Sequence, residues 1–153
     1  MDSSQYKSID EIINEIKKFS TDLVIITGGE PLMHNLTDLT SALKKLGKKI
    51  HIETSGTHPV SGHFDWICFS PKKFKKPLDD FFKMSNELKI IISKDSDFKW
   101  AEYLLRQIKN KPELILQAEW SKSEIINPKI LDYIKLNPKW RISLQTHKYL
   151  HVE

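Results

Sequence analysis

The chain has 153 residues, 39% hydrophobic and 29% charged; this suits one domain over 1–153 and argues against a disordered or disulfide-scaffold protein. Its net charge of +4, from 24 Lys and Arg against 20 Asp and Glu, is mild, and it gives little support to nucleic-acid binding. No apolar run approaches the ~20 residues of a membrane helix, Met1–Ser8 carries no signal-like apolar stretch, and the single cysteine, Cys68, excludes an internal disulfide and points to a reducing, cytoplasmic setting.

In chain order, Ser8-Ile9-Asp10-Glu11 reads as a capping box, and Ile9, Ile12, Ile13, Ile16 and Phe19 keep helical spacing behind it. Leu23–Ile26 is a short, continuously apolar, β-branched run, which predicts a strand buried on both faces. Leu36, Leu39, Leu43 and Leu46 are helix-spaced and Gly47 is the expected stop. Further strands are predicted at Ile50–Glu53, Trp66–Phe69, Leu88–Ile92, Leu114–Gln117 and Arg141–Leu144. Phe98, Ala101, Leu104, Leu105 and Ile108 form one helix face, and Ile130, Leu131 and Ile134 mark a last helix, with Asn127 as its cap and Pro128 just inside.

Strands alternating with helices predict an α/β fold with a mostly parallel sheet, whose ligands sit beyond the C-terminal strand ends. Polar clusters follow those ends: Thr27–Glu30, Glu53–Gly56, Ser70–Lys72, Gln117 with Glu119, and Gln145–His147. Gly28 and Gly29 let the backbone approach a ligand, and Glu30 suits an ammonium; the plainer reading is a tight turn with Glu30 in water. The hydroxyls of Thr54 and Ser55 suit a ribose or a carboxylate, or else a capped turn. Lys72 can pair with a carboxylate as a point charge or stand in water. The run Lys72-Lys73-Phe74-Lys75-Lys76 reads as a solvated loop or an anion-binding one. None of the six histidines falls in a metal-binding HExxH spacing; His58 and His63 read as surface residues, and no metal ligand is assigned. Cys68, inside an apolar run, reads as a small buried hydrophobe. No hydrolase triad or elbow is visible, so no catalytic residue is assigned.

Together the clusters resemble one family. Thr27-Gly28-Gly29-Glu30-Pro31-Leu32, Glu53-Thr54-Ser55-Gly56-Thr57, Asp65-Trp66-Ile67-Cys68-Phe69-Ser70-Pro71-Lys72-Lys73, Asn86-Glu87-Leu88-Lys89 and Trp140–Lys148 look, in that order, like 7-carboxy-7-deazaguanine synthases, radical S-adenosylmethionine enzymes of queuosine precursor synthesis. Gly-Gly-Glu-Pro is shared by many radical S-adenosylmethionine enzymes; Ser-Pro-Lys-Lys and Leu-Gln-Thr-His-Lys are far more specific. The resemblance implies a partial, incomplete TIM-like barrel. It implies rearrangement of 6-carboxy-5,6,7,8-tetrahydropterin to 7-carboxy-7-deazaguanine with ammonia loss by a 5'-deoxyadenosyl radical, which makes the protein a lyase. It also implies a homodimer, a 4Fe-4S cluster, Mg2+ and an external electron donor such as flavodoxin. By position it assigns Gly28, Gly29, Glu30, Ser70, Pro71, Lys72, Gln117, Ala118, Glu119 and Trp120 to S-adenosylmethionine, with Ser55 beside them, and Thr27, His147 and the terminal Glu153 to substrate. Ala118 and Glu153 each stand where the family usually has proline.

The family's first strand and its three cluster cysteines lie upstream of the position of Ser8, and one Cys cannot hold a 4Fe-4S cluster. The family's magnesium contact belongs to that same segment. The expectation is therefore a partial barrel with its first strand missing, inactive on its own, for which a truncated or mis-set gene start is favoured over a deliberate excision or a natural fragment that has lost catalysis. An apolar edge at Leu23–Ile26 would then favour association. The competing expectations are an activase-type relative, a non-catalytic binding module derived from the same fold, and a basic nucleic-acid binder.

Overall fold

Residues 6–152 are described in the computed structural model. Ser8 opens helix α1 (Ile9–Ile16): its hydroxyl accepts the Glu11 N–H at 3.2 Å, while Glu11 Oε2 accepts the Ser8 N–H at 2.6 Å. Strand β1 (Leu23–Ile26) leads through a short 3-10 turn at Pro31–Met33 into α2 (Thr37–Lys45), after which Gly47 takes a positive φ of 73°. Then follow β2 (Lys49–Thr54), β3 (Trp66–Phe69), α3 (Phe81–Met84), β4 (Glu87–Ile92) and α4 (Ser96–Leu105). The chain continues through β5 (Glu113–Ala118), α5 (Ser123–Leu136), β6 (Arg141–Ser143) and α6 (Thr146–Tyr149).

The six strands form one sheet in the strictly sequential order β1-β2-β3-β4-β5-β6, every pair parallel. A doubly wound sheet reverses its strand order, which places helices on both faces. A sequential sheet built with crossovers of one hand places them on one face, the arrangement of a partial TIM-like barrel.

Register divides the sheet into two unlike faces. Ile52, Ile67, Phe69, Leu88, Ile90, Ile92, Leu116 and Ala118 join Ala101 and Leu104 of α4, Ile126 and Ile130 of α5, and Trp140 in one buried core. Each Ile, Leu or Phe among them contributes roughly 1.5–3 kcal/mol by leaving water. The opposite face carries Ile25, His51, Glu53, Trp66, Cys68, Glu87, Lys89, Ile91, Gln117 and Ser143, as the in-register pairs His51–Trp66, Glu53–Cys68, Cys68–Glu87 and Gln117–Ser143 show.

This second face corrects the expectation that β1 is buried on both sides. Leu23 is 37% and Ile25 58% exposed. Among the described residues the helices pack only on the other face, so the outward half of β1 has no cover. The last long helix is also corrected. It begins at Ser123, running on from a 3-10 turn at Trp120–Lys122, and Pro128 lies inside it, where the ring removes one intrahelical donor. Asn127 caps nothing; its Nδ2 donates to Tyr149 Oη of α6 at 3.2 Å. Phe19 lies beyond α1 and is exposed.

Candidate functional site

All six strands run the same way, so the polar turns after β1, β2, β3, β5 and β6 gather along one rim. The first is Thr27-Gly28-Gly29-Glu30. Thr27, Gly28 and Gly29 are exposed. Gly28 and Gly29 have φ of 96° and 55°, and a Cβ added to either meets nothing within 4 Å. The glycines are required by backbone conformation, and they leave open space beside the turn.

Glu30 does not stand in water, and its carboxylate is not free for an ammonium. Oε1 accepts from Thr54 Oγ1 at 2.6 Å and from the Leu32 N–H at 3.2 Å; Oε2 accepts from the Ser55 N–H at 2.8 Å and from Ser55 Oγ. Those four donors fill a carboxylate's usual acceptor capacity. Burial alone would push its pKa up, but the hydrogen bonds from Ser55, Thr54 and Leu32 outweigh burial and hold it below the ordinary carboxylate range. Glu30 therefore braces the first turn against the second, and Ser55 Oγ is also engaged with Thr57 Oγ1 at 3.0 Å.

Ser70, after β3, is buried, and its N–H donates to the Thr54 carbonyl at 2.8 Å. Pro71 is buried beside it. Lys72 is half-buried and donates to Ser70 Oγ at 3.3 Å. Burial lowers its pKa, as does the like charge of Lys89, against the attraction of Glu53.

On the open sheet face below, Lys89 Nζ pairs with Glu53 at 2.5 Å. Glu87 accepts from Cys68 Sγ and from Trp66 Nε1, each at 3.2 Å, and His51 stacks on Trp66 with centroids 5.8 Å apart. Burial and the neighbouring carboxylates push the Cys68 thiol well up. Sequence reading singled out Glu53 but missed His51, Trp66, Glu87 and Lys89 as one surface. The signal was present in the strict polar–apolar alternation of Lys49-Ile50-His51-Ile52-Glu53 and of Glu87-Leu88-Lys89-Ile90.

Gln117, near the end of β5, is buried on this same face and accepts from Ser143 Oγ at 3.4 Å. Ala118 points the other way, into the core, so only its backbone faces the rim. The Glu119 N–H donates to the Ile92 carbonyl at 2.8 Å, and its carboxylate caps the following turn through Ser121. Trp120 meets Tyr149 edge-on at 5.0 Å with Lys148 5.2 Å from its ring, beside a cavity of about 350 Å³. His147 is exposed on α6, at the far end of the rim from Thr27. Glu153 lies outside the described residues.

The rim thus links Glu30, Thr54, Ser55, Ser70 and Lys72 by hydrogen bonds in one stretch, and Gln117 with Ser143 in another. Comparison with known proteins places this geometry. Residues 1–77 match the Radical SAM superfamily. The chain is 48% identical to a 7-carboxy-7-deazaguanine synthase of Synechocystis over 146 residues, which are 95% of this chain and 70% of the relative. It is 47% identical to that of Flavobacterium psychrophilum over 143 residues, 94% of this chain and 68% of the relative.

The chain belongs to the 7-carboxy-7-deazaguanine synthases. The fold agrees: the crystal structure of QueE from Escherichia coli superposes with a TM-score of 0.75 at 30% identity, covering 91% of this chain and 64% of that one. The chain therefore spans about two thirds of the length of the synthases it matches.

The superfamily uses S-adenosylmethionine and a 4Fe-4S cluster. The open glycine turn and the Ser70–Lys72 segment fit the first, offering free backbone groups and a cation. The residues of this sequence do not fit the second. Its one cysteine is buried, and its thiol is held on Glu87 with a raised pKa, the opposite of an iron-binding thiolate. Any cluster thiolates come from outside these 153 residues. Among the described residues no group of three His, Cys, Asp or Glu side chains is placed to hold a metal ion, and none of their helices is long and apolar enough to cross a membrane.

Proposed function

We propose that this chain supplies the S-adenosylmethionine rim and the substrate face of a 7-carboxy-7-deazaguanine synthase, a lyase converting 6-carboxy-5,6,7,8-tetrahydropterin to 7-carboxy-7-deazaguanine with loss of ammonia. One observation carries the reading: the glycine turn braced by Glu30 and the Ser70–Lys72 cation stand together above an uncovered, charged sheet face. The exposed backbone of Gly28 and Gly29 offers acceptors to a methionyl ammonium, and Lys72 a counter-charge to its carboxylate. Gln117 to Trp120 flank the adenine end. Glu53, Glu87 and Lys89 present acceptors and a cation to a heterocycle bearing amino, oxo and carboxylate groups. Thr27 and His147 bound that face at the two ends of the rim. When bound, S-adenosylmethionine supplies the 5'-deoxyadenosyl group on which the family's hydrogen abstraction depends.

A homodimer, a flavodoxin-type electron donor and a cytoplasmic location belong to the same proposal. Magnesium belongs to it as well, with the cluster's thiolates supplied from outside these 153 residues. The test is complementation of a strain that makes no queuosine, using the reading frame extended upstream of Met1. Restored queuosine, lost again in the Lys72→Met variant, supports the proposal; an expressed extended chain that leaves the strain without queuosine overturns it. A second reading, a non-catalytic module on the same fold, is favoured by the single cysteine and predicts that second outcome.

A further inference from the structure

Lys72 and Lys73 are consecutive, yet their ammonium groups go different ways. Lys72 reaches Ser70 Oγ at the rim. Lys73 instead pairs with Asp97 of α4 and lies 5.2 Å from the Trp100 ring centroid. Asp97 is firmly seated, its side chain only 3% exposed. Its Oδ2 accepts the Ser93 N–H at 2.7 Å, Ser93 Oγ at 2.9 Å and the Lys94 N–H at 3.1 Å, leaving Oδ1 to Lys73.

Lys73 is also the first residue inside a tight turn, in which the Lys75 N–H reaches the Lys72 carbonyl at 3.4 Å. Fixing Lys73 fixes the plane of that turn, and with it the direction in which Lys72 leaves it. The other ties of this loop run to the β2–β3 connection, from Lys75 to His58 at 3.1 Å and from the Leu78 N–H to the Gly56 carbonyl at 2.8 Å. They hold the far side of the turn, while Phe74 at its tip is 88% exposed. An ion pair at the surface contributes little, but this one has a buried, pre-organised acid at one end and a stacked cation at the other.

We propose that Asp97 acts through Lys73 as a positioning residue, aiming Lys72 at the sheet rim where it meets the carboxylate of S-adenosylmethionine. The positioning is a property of this chain; the ligand rests on the function proposed above.

The test follows the Lys72 side chain by NMR, through the pH titration of its ε-carbon, beside calorimetry with S-adenosylmethionine. The groups around that amine are Glu53, Lys89, Cys68 and Glu30. In the unaltered chain Lys72 titrates below the exposed lysines. In Lys73→Met, which keeps the stem against Trp100, and in Asp97→Asn, it rejoins them. Near-UV circular dichroism shows whether each variant is folded. Affinity for S-adenosylmethionine falls about tenfold, the scale on which loss of an outer-shell support is felt. Lys73→Arg restores both properties. An unmoved Lys72 titration in the two folded variants overturns the positioning role. A moved titration with affinity unaltered in both Lys73→Met and Lys72→Met leaves that role standing and overturns the assignment of Lys72 to S-adenosylmethionine.

Discussion

Thr54 Oγ1 lies 2.6 Å from Glu30 Oε1, so the last residue of β2 holds the turn that follows β1. The bond joins neighbouring strand ends at the point where the glycine turn opens, and Ser55 doubles it through both its N–H and its hydroxyl.

Removing that brace costs more than one hydrogen bond. Glu30→Ala leaves the buried Thr54 hydroxyl only the bond it accepts from the Gly56 N–H, and strands the Ser55 and Leu32 N–H groups. A loss of about 2–3 kcal/mol is expected, the range for donors deprived of a charged partner. Glu30→Gln keeps an acceptor and loses about half of that. Urea unfolding, with a shifted midpoint and an unchanged slope, measures both.

Acid should unfold the protein through three carboxylates. The pKa values of Glu30, Asp97 and Glu102 are all depressed: burial opposes ionisation, and hydrogen bonds, some of them from lysine partners at Asp97 and Glu102, more than offset it. A depressed folded pKa contributes stability above the unfolded value and loses it as pH falls through the folded one. Stability is expected to hold from neutrality to about pH 5 and to decline below it. Glu30→Gln should flatten that decline, as read by urea midpoints across pH.

Gly56 and Gly28 should respond differently to alanine, although both have positive φ. At Gly56 a Cβ lands 2.7 Å from Phe69 Cε2 and 2.9 Å from Phe81 Cγ, two core rings that have no room to move. At Gly28 nothing lies within 4 Å. Gly28→Ala therefore carries only backbone strain, about 1–2 kcal/mol, whereas Gly56→Ala adds overpacking of about 1–3 kcal/mol. Melting temperatures of the two variants give the comparison.

Among the described residues β1 pairs with β2 alone, and Ile25 is 58% exposed. This apolar edge should drive concentration-dependent association of the 153-residue chain, and Ile25→Lys should weaken it. Sedimentation velocity decides: a monomer for the unaltered chain at high concentration would count against the edge as the cause.

Much of this was legible beforehand because the strands announce themselves. Trp66–Phe69 is bounded as expected, and the capping box at Ser8 and Glu11 forms as written. Three things were hidden. The short β1 run Leu-Val-Ile-Ile looks the same whether a strand is covered on one face or two, since apolar residues on the open side leave no periodic mark. The role of Glu30 depends on donors 24 and 25 residues away, which no local pattern reports. Lys73 and Asp97, 24 residues apart, were hidden for the same reason.

The sequential strand order also bears on how the chain folds. Each strand pairs with the one made just before it, so none has to wait for a distant segment to be synthesised. Closing short segments demands less chain entropy than joining remote ones. The sheet can therefore lengthen strand by strand as the polypeptide leaves the ribosome, each new crossover docking on an edge already in place.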